Sequence, residues 1–244
     1  MLAGEVRFPG RYVIGNGETL KSVLLRAGGL TDQAFAEGSV FTREELKKKE
    51  QEQMEQLATR MQTDLTGLAI RATGAGIGGA AGALSVGQSL LTQLRTAKPV
   101  GRLVINLPKL LQDSPGAAYD VALRNGDNLI VPKFQQQVTI IGEVQSTTSH
   151  LYRQGFGRDD YIALSGGVTN SADRSKIYVV RADGSVVASG SNRWFHGSNV
   201  SIRPGDTIVV PLDTERMPAL PFWQAVTGIL YNVALGAAAI RVLD

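Results

Sequence analysis

This sequence predicts an α+β fold made of two similar units in tandem, followed by one apolar helix. Three observations carry that prediction. Gly4-Glu5-Val6 recurs as Gly142-Glu143-Val144, and Ala27-Gly28-Gly29-Leu30-Thr31 recurs at the same offset as Ser165-Gly166-Gly167-Val168-Thr169. Val40-Phe41-Thr42-Arg43 matches Val179 to Arg181 at nearly that offset, and Arg124-Asn125-Gly126-Asp127 through Val131-Pro132 recurs as Arg203-Pro204-Gly205-Asp206 through Val210-Pro211. Lastly, residues 222–243 contain a single charge, Arg241. Self-similar segments at such spacing fold as adjacent units.

Each unit has the same grammar. Val6 to Ile14 reads as two short strands around the Pro9-Gly10 turn. Thr19 caps a short helix whose apolar positions are Leu20, Val23, Leu24 and Ala27, and Gly28-Gly29 stops it. In the second copy Tyr161, Ile162 and Leu164 take these places before Gly166-Gly167. Strands over Lys176–Arg181 and Ser185–Ala188 follow, joined by a hairpin turn at Ala182-Asp183-Gly184. Asp206 to Val210 closes the unit, ended by Pro211. Strands, one helix and more strands make an α+β unit of the β-grasp kind.

The first copy carries about sixty extra residues before its closing strand, a large insertion for one repeat. Thr42-Arg43-Glu44-Glu45 reads as a capping box, with Glu44/Lys48 and Glu45/Lys49 at helical spacing. Met54, Leu57, Met61, Leu65 and Leu68 form one apolar stripe. Such a helix either stands solvated or docks on a neighbouring subunit. The small-residue run Thr73 to Gly87 reads as a connector. Within it, Gly74-Ala75-Gly76-Ile77-Gly78-Gly79 matches the dinucleotide fingerprint in form. That motif works between a strand and a helix, with an acid about twenty residues on. Here a helix precedes it, and Leu94-Arg95 stands where the acid belongs. The predicted domains are 1–133, with the insertion at about 44–98, then 134–216, and a terminal helix in 217–244.

Composition narrows the function classes. With 43% apolar and 19% charged residues the chain has a globular balance. A net charge of +3 from scattered basic residues gives no support to nucleic-acid binding. No cysteine is present, which excludes disulfides and thiolate zinc sites. His150 and His196 lie apart without metal-ligand spacing, and His150 takes the position of Tyr12 in the other copy. Asp159-Asp160 begins the second short helix, where carboxylates complement the helix dipole. Trp194-Phe195 reads as packing, with sugar contact as the alternative. No nucleophile, base and metal set can be assembled, so the expectation is no enzyme, metal or cofactor. Met1 reads as the start of a shortened chain, because the first repeat begins at once.

Pro221 opens the last segment, which is long enough to cross a hydrocarbon core of about 30 Å. On a helical wheel Phe222, Val226, Ile229, Leu230, Val233, Ala237 and Ile240 share an apolar face, with Phe222 and Trp223 as an aromatic anchor. Gln224, Thr227, Gly228, Tyr231 and Asn232 gather opposite. A ring of such helices turns the first set, Trp223 included, toward lipid and lines a wet channel with Gln224, Thr227, Tyr231 and Asn232. The bland alternative is a buried helix capping the domain.

Taken together, the glycine motifs, their order and the closing helix resemble the outer-membrane polysaccharide export family of Gram-negative bacteria, whose members carry soluble-ligand-binding β-grasp (SLBB) repeats. The helical insertion resembles the larger capsule-export members. The resemblance implies a homo-oligomeric ring, commonly an octamer, with β-grasp domains in the periplasm and terminal helices forming a pore through outer-membrane lipid. It implies polysaccharide as cargo, delivered by an inner-membrane polymerase and tyrosine-kinase copolymerase. A soluble glycan-binding module, or a structural ring protein of a secretion channel, are the alternatives.

Overall fold

A computed structural model describes residues 1–75, 80–113, 118–188 and 200–213. Two compact units result: Met1–Phe41 with the described residues from Val104 onward, and Thr42–Leu103. In chain order the elements are β1 (Leu2–Gly4), α1 (Leu20–Arg26), β2 (Val40–Thr42), α2 (Glu44–Ala75), α3 (Ala80–Thr96), β3 (Arg102–Leu103), α4 (Leu107–Gln112) and β4 (Asn128–Val131). The second repeat supplies β5 (Gln137–Gly142), β6 (Thr148–Leu151), α5 (Arg158–Leu164), β7 (Tyr178–Val180), β8 (Val186–Ala188) and β9 (Thr207–Val210). The fold is mixed α/β.

The second repeat shows the plan in full. Its sheet runs β6-β5-β9-β7-β8, with β5 parallel to β9 and the other pairs antiparallel. Val138 and Ile140 alternate inward from β5 and meet Tyr161 and Ile162 of α5 and Ile208 and Val210 of β9. The central strand β9 is buried at all four positions, because Val209 packs on the opposite face with Tyr178 and Val180. The hairpin β7–β8 turns at Gly184 (φ +84°), as the Asp-Gly pair predicts.

In the first repeat β1, β4 and β2 lie side by side, the order of β5, β9 and β7. Thr19 Oγ1 accepts the Ser22 N–H at 3.4 Å, and α1 buries Leu20, Val23 and Leu24. Gly28 and Gly29 (φ +77° and +81°) end α1, and Gly166 and Gly167 (+83° and +84°) end α5, the left-handed stop the sequence predicts. Lys21 is buried, its ammonium donating to the Leu111 carbonyl (2.8 Å) and to that of Asp113. It thus ties α1 to the carbonyl end of α4.

Some expectations fail here. Val6 to Ile14 does not form two strands: Leu2 bridges Gly10 alone, whereas β5 and β6 pair over four residues. Chemistry outside the ladder explains this. Arg26 donates to the Val13 carbonyl at 2.9 Å and Tyr12 to that of Phe8 at 2.5 Å, while Val13 is 89% exposed. The two repeats also touch. Phe35 sets its ring edge-on to Phe134, and a Cβ at Gly205 (φ +81°) would come within 2.8 Å of that same Phe35 ring.

The unit Thr42–Leu103 is an antiparallel pair of helices. Thr42 lies on β2 and α2 begins at Glu44, one residue later than a cap at Thr42 predicts; Glu44 pairs with Lys47 at 4.0 Å. Nor is the Thr73–Gly87 run a connector, since Ala80–Gly87 belong to α3. Gly87 is a point of close approach: a Cβ there would stand 2.2 Å from Leu65 Cδ2. The stripe of α2 therefore packs on α3 of its own chain, with Met54, Met61 and Leu65 half-buried and Leu57 and Leu68 exposed. The fingerprint begins on α2, and α3 follows. A helix precedes it, not the strand that a phosphate-binding turn requires. At the unit's base Glu50 Oε2 accepts the N–H groups of Val100 (2.9 Å) and Gly101 (2.8 Å), and the Arg43 N–H reaches the Gly101 carbonyl at 2.9 Å.

Among the described residues no helix is long and apolar enough to cross a membrane. The predicted channel-lining Gln224, Thr227, Tyr231 and Asn232 lie outside the described residues. So do the predicted lipid-facing Phe222, Trp223, Val226, Ile229, Leu230, Val233 and Ile240, and also Trp194, Phe195 and His196.

Candidate functional site

Each repeated sequence motif proves to be one piece of a repeated lock. Gly4 (φ +79°) and Gly142 (φ +95°) end β1 and β5 with their α-carbons pressed on the neighbouring strand. A Cβ would lie 2.1 Å from the Val131 carbonyl oxygen at Gly4, and 2.0 Å from that of Val210 at Gly142. The next residue turns back: the Glu5 and Glu143 N–H groups donate to those same carbonyls at 2.8 Å. Their carboxylates then accept the hydroxyls of Thr31 (2.6 Å) and Thr169 (2.7 Å), the threonines of the Gly-Gly-x-Thr step. The sequence shows both motifs but not that they bind each other. Their constant separation within each copy is the signal that pointed to it.

The Gly-Asp turns are a second repeated device. Asp127 Oδ2 accepts the Arg124 N–H, and Asp206 Oδ2 the Arg203 N–H, both at 2.8 Å. Asp206 also receives Arg181 Nη1 at 2.5 Å, with its own side chain 1% exposed. Burial pushes the Asp206 carboxyl above its ordinary range, against the downward pull of the Arg203 N–H and the Arg181 guanidinium. A raised folded-state value means that its contribution is present at low pH and lost as pH rises through that value. At neutral pH the buried carboxylate is held at a cost.

Asp173 behaves oppositely. Hydrogen bonds from Lys176 (2.7 Å) and from the Ser175 hydroxyl (2.6 Å) lower its carboxyl. A lowered value gives stability that is present above the unfolded value and lost as pH falls through the folded one. The melting temperature of wild type should therefore exceed that of Asp173→Asn at neutral pH, and the gap should close on acidification to about pH 2. Thermal melts across that range check it; a gap independent of pH would show that the carboxylate does no such work.

The copies differ at several positions around a cavity, Val23 among them. At the offset carrying Gly4 onto Gly142, Val23 corresponds to Tyr161. In the second repeat the Tyr161 ring is fully buried, packs edge-on to Phe156 at 5.7 Å and accepts the Arg153 N–H on its hydroxyl at 2.7 Å. His150 stands beside it and contacts Ser165 Oγ at 3.1 Å, a structural placement. In the first repeat Val23 borders a cleft of about 460 Å³. Leu20, Val23 and Phe41 line its apolar part, and Arg11, Tyr12 and the Arg124–Asn128 turn its polar part. Sequence reasoning missed these residues, although aligning the copies exposes the Val/Tyr exchange.

Among the described residues no group of three or more His, Asp or Glu side chains could hold a metal ion. Asp159 and Asp160 are engaged at the start of α5, with Asp160 accepting the Gly157 N–H at 2.7 Å and Asp159 paired with Arg158 at 2.8 Å.

Two similar units, each closed by the same Gly-Glu-Val and Gly-Gly-x-Thr lock, define a tandem-domain protein whose order lies in repetition. The SLBB domain family matches at residues 1–54 and 137–189, the opening parts of the two repeats. Two sequences of the polysialic acid transport protein KpsD of Escherichia coli are each 28% identical over 151 residues, covering 62% of this chain and 24% of theirs. The chain thus spans about a quarter of the length of the curated relatives it matches. It carries two stretches that match the SLBB domain and is similar to a polysaccharide transport protein.

Proposed function

We propose that this chain forms part of the wall of a polysaccharide export conduit in the Gram-negative envelope. The observation that carries the reading is the double SLBB match joined to similarity with a polysialic acid transport protein. Copies of the chain assemble as a ring, an octamer by family precedent, with the SLBB repeats in the periplasm. Residues 222–243 supply one helix each to a pore through outer-membrane lipid, their single charge, Arg241, near the end of the run. Gln224, Thr227, Tyr231 and Asn232 face the passing polymer; Phe222, Trp223, Val226, Ile229, Leu230, Val233 and Ile240 face lipid. The ring is passive, and an inner-membrane copolymerase with tyrosine-kinase activity delivers the polysaccharide.

The test is the detergent-corrected mass of membrane-extracted protein with and without residues 219–244. A discrete ring that needs detergent only when the tail is present is the expected result; a monomer indifferent to detergent in both forms rejects the conduit. Within the tail, Val233→Asp should lower membrane recovery at least about tenfold, since a charge facing lipid costs about 2.5–3.5 kcal/mol. Thr227→Asp should be tolerated, and the reverse pattern would invert the assigned faces.

A further inference from the structure

We propose that the far half of the α2–α3 hairpin enters one leaflet of a lipid bilayer, a membrane contact separate from the terminal helix. Charge along the hairpin is the first argument. Residues 43–60 carry ten charged side chains, whereas 65–94 carry one, Arg71. Apart from Arg71, the charges of α2 stop at Asp64, and those of α3 resume at Arg95. The Arg95 guanidinium donates to Gln62 Oε1, so both limits fall at one level of the antiparallel pair. Charge therefore ends along a plane that crosses two helices, as it does where water meets lipid.

Beyond that plane the hairpin is apolar on more than one side. Leu65 and Gly87 meet between the helices, yet Leu68, Ile70 and Val86 remain 50%, 67% and 43% exposed. Leu68 and Ile70 stand about 200° apart around α2. One flat protein partner covers one such face, whereas fluid hydrocarbon covers both. The hydroxyls in this part need no water. Thr66, Ser89 and Thr92 each donate to the backbone carbonyl four residues back, at 2.9, 3.1 and 2.9 Å. Depth fits a single leaflet. From Leu65 to the end of α2 at Ala75 is about 16 Å, against a hydrocarbon core of about 30 Å in all. That agrees with the lack, among the described residues, of any helix able to cross a membrane. Arg71 lies about 10 Å past the plane, a depth from which an arginine stem returns its charge to the headgroups. Gln88 is an amide carried to similar depth, set against three exposed large apolar side chains.

The chain has no cysteine, so a single introduced thiol reports alone. The test is fluorescence of the full chain reconstituted in vesicles of phosphatidylethanolamine and phosphatidylglycerol. An environment-sensitive label is placed at Ile70→Cys, and in a reference sample at Gln53→Cys, on the charged half of α2. A quencher carried on the lipid chains should remove most of the emission at position 70 and little at position 53. Leu68→Glu with Val86→Glu, both at exposed positions, should abolish lipid quenching at position 70, because a carboxylate facing hydrocarbon is disfavoured. If that double variant fails to fold, the two labelled positions carry the test by themselves. Quenching at position 70 by aqueous iodide and not by lipid means a solvated hairpin; quenching by neither means that a second copy or another protein covers it. Either result overturns the proposal. A label at Val233→Cys reads the terminal helix in parallel. Lipid quenching there with none at position 70 overturns the hairpin contact and leaves the conduit standing.

Discussion

Gly142→Ala is expected to lower the free energy of unfolding by about 3 kcal/mol or more, and Gly4→Ala to act in the same direction. Two effects add. At φ +95° an alanine pays about 1–2 kcal/mol for left-handed backbone. Its Cβ would also lie 2.0 Å from the Val210 carbonyl oxygen, an overlap with a central strand that cannot swing aside. Overpacking of a fixed neighbour adds about 1–3 kcal/mol, and the Glu143 N–H bond to that same carbonyl is strained as well. Gly155→Ala is the control, because its φ is +87° and a Cβ there meets nothing within 4 Å. It should lose only the backbone part. Urea unfolding of the two variants decides the matter: equal losses would mean that the close approach to Val210 carries no energy.

Asp206→Ala is expected to lower stability by about 3–5 kcal/mol, because it leaves a guanidinium that is 13% exposed with the Ser201 carbonyl but no counter-ion, and removes the acceptor of the Arg203 N–H. The pair as a whole is worth far less than that loss. Burial already penalises the carboxylate, and replacing both partners of a buried pair is often neutral. The double variant Arg181→Met with Asp206→Asn keeps an oxygen for the Arg203 N–H and leaves no charge. It should recover all but about 1 kcal/mol of wild-type stability. Denaturant titration of the single and double variants reads both values. A double variant as unstable as the single would show that the ion pair itself stabilises the fold.

The repeats were legible because their signals are local and chemical. Gly28-Gly29 and Gly166-Gly167 stop helices by backbone freedom alone, and Thr19 caps with its own hydroxyl. What was illegible depends on contacts far along the chain. The second strand around Pro9-Gly10 is lost in the first copy because Arg26 takes the Val13 carbonyl out of the ladder. Residues Ala80–Gly87 read as a connector because small side chains give no helical stripe, and only the facing Leu65 explains why Gly87 must be small. Thr42 looked like a cap because its spacing to Glu45 is right, but the preceding strand claims its backbone. The cleft was hidden by the same alignment that revealed the repeats: attention to what the copies share conceals Val23 and Tyr161, where they part.

Arg43 and Arg181 hold corresponding places, so the helical pair departs from the chain where the second copy needs only Ala182-Asp183-Gly184. Its two ends are stitched by Glu50 and by the Arg43–Gly101 bond. An added module whose entry and exit coincide presents its host with the same gap as a tight turn, and closing a longer loop costs little further entropy. The hairpin tip thus serves as a socket. An appendage whose two ends meet in this way leaves the strand register on either side of the insertion point unchanged.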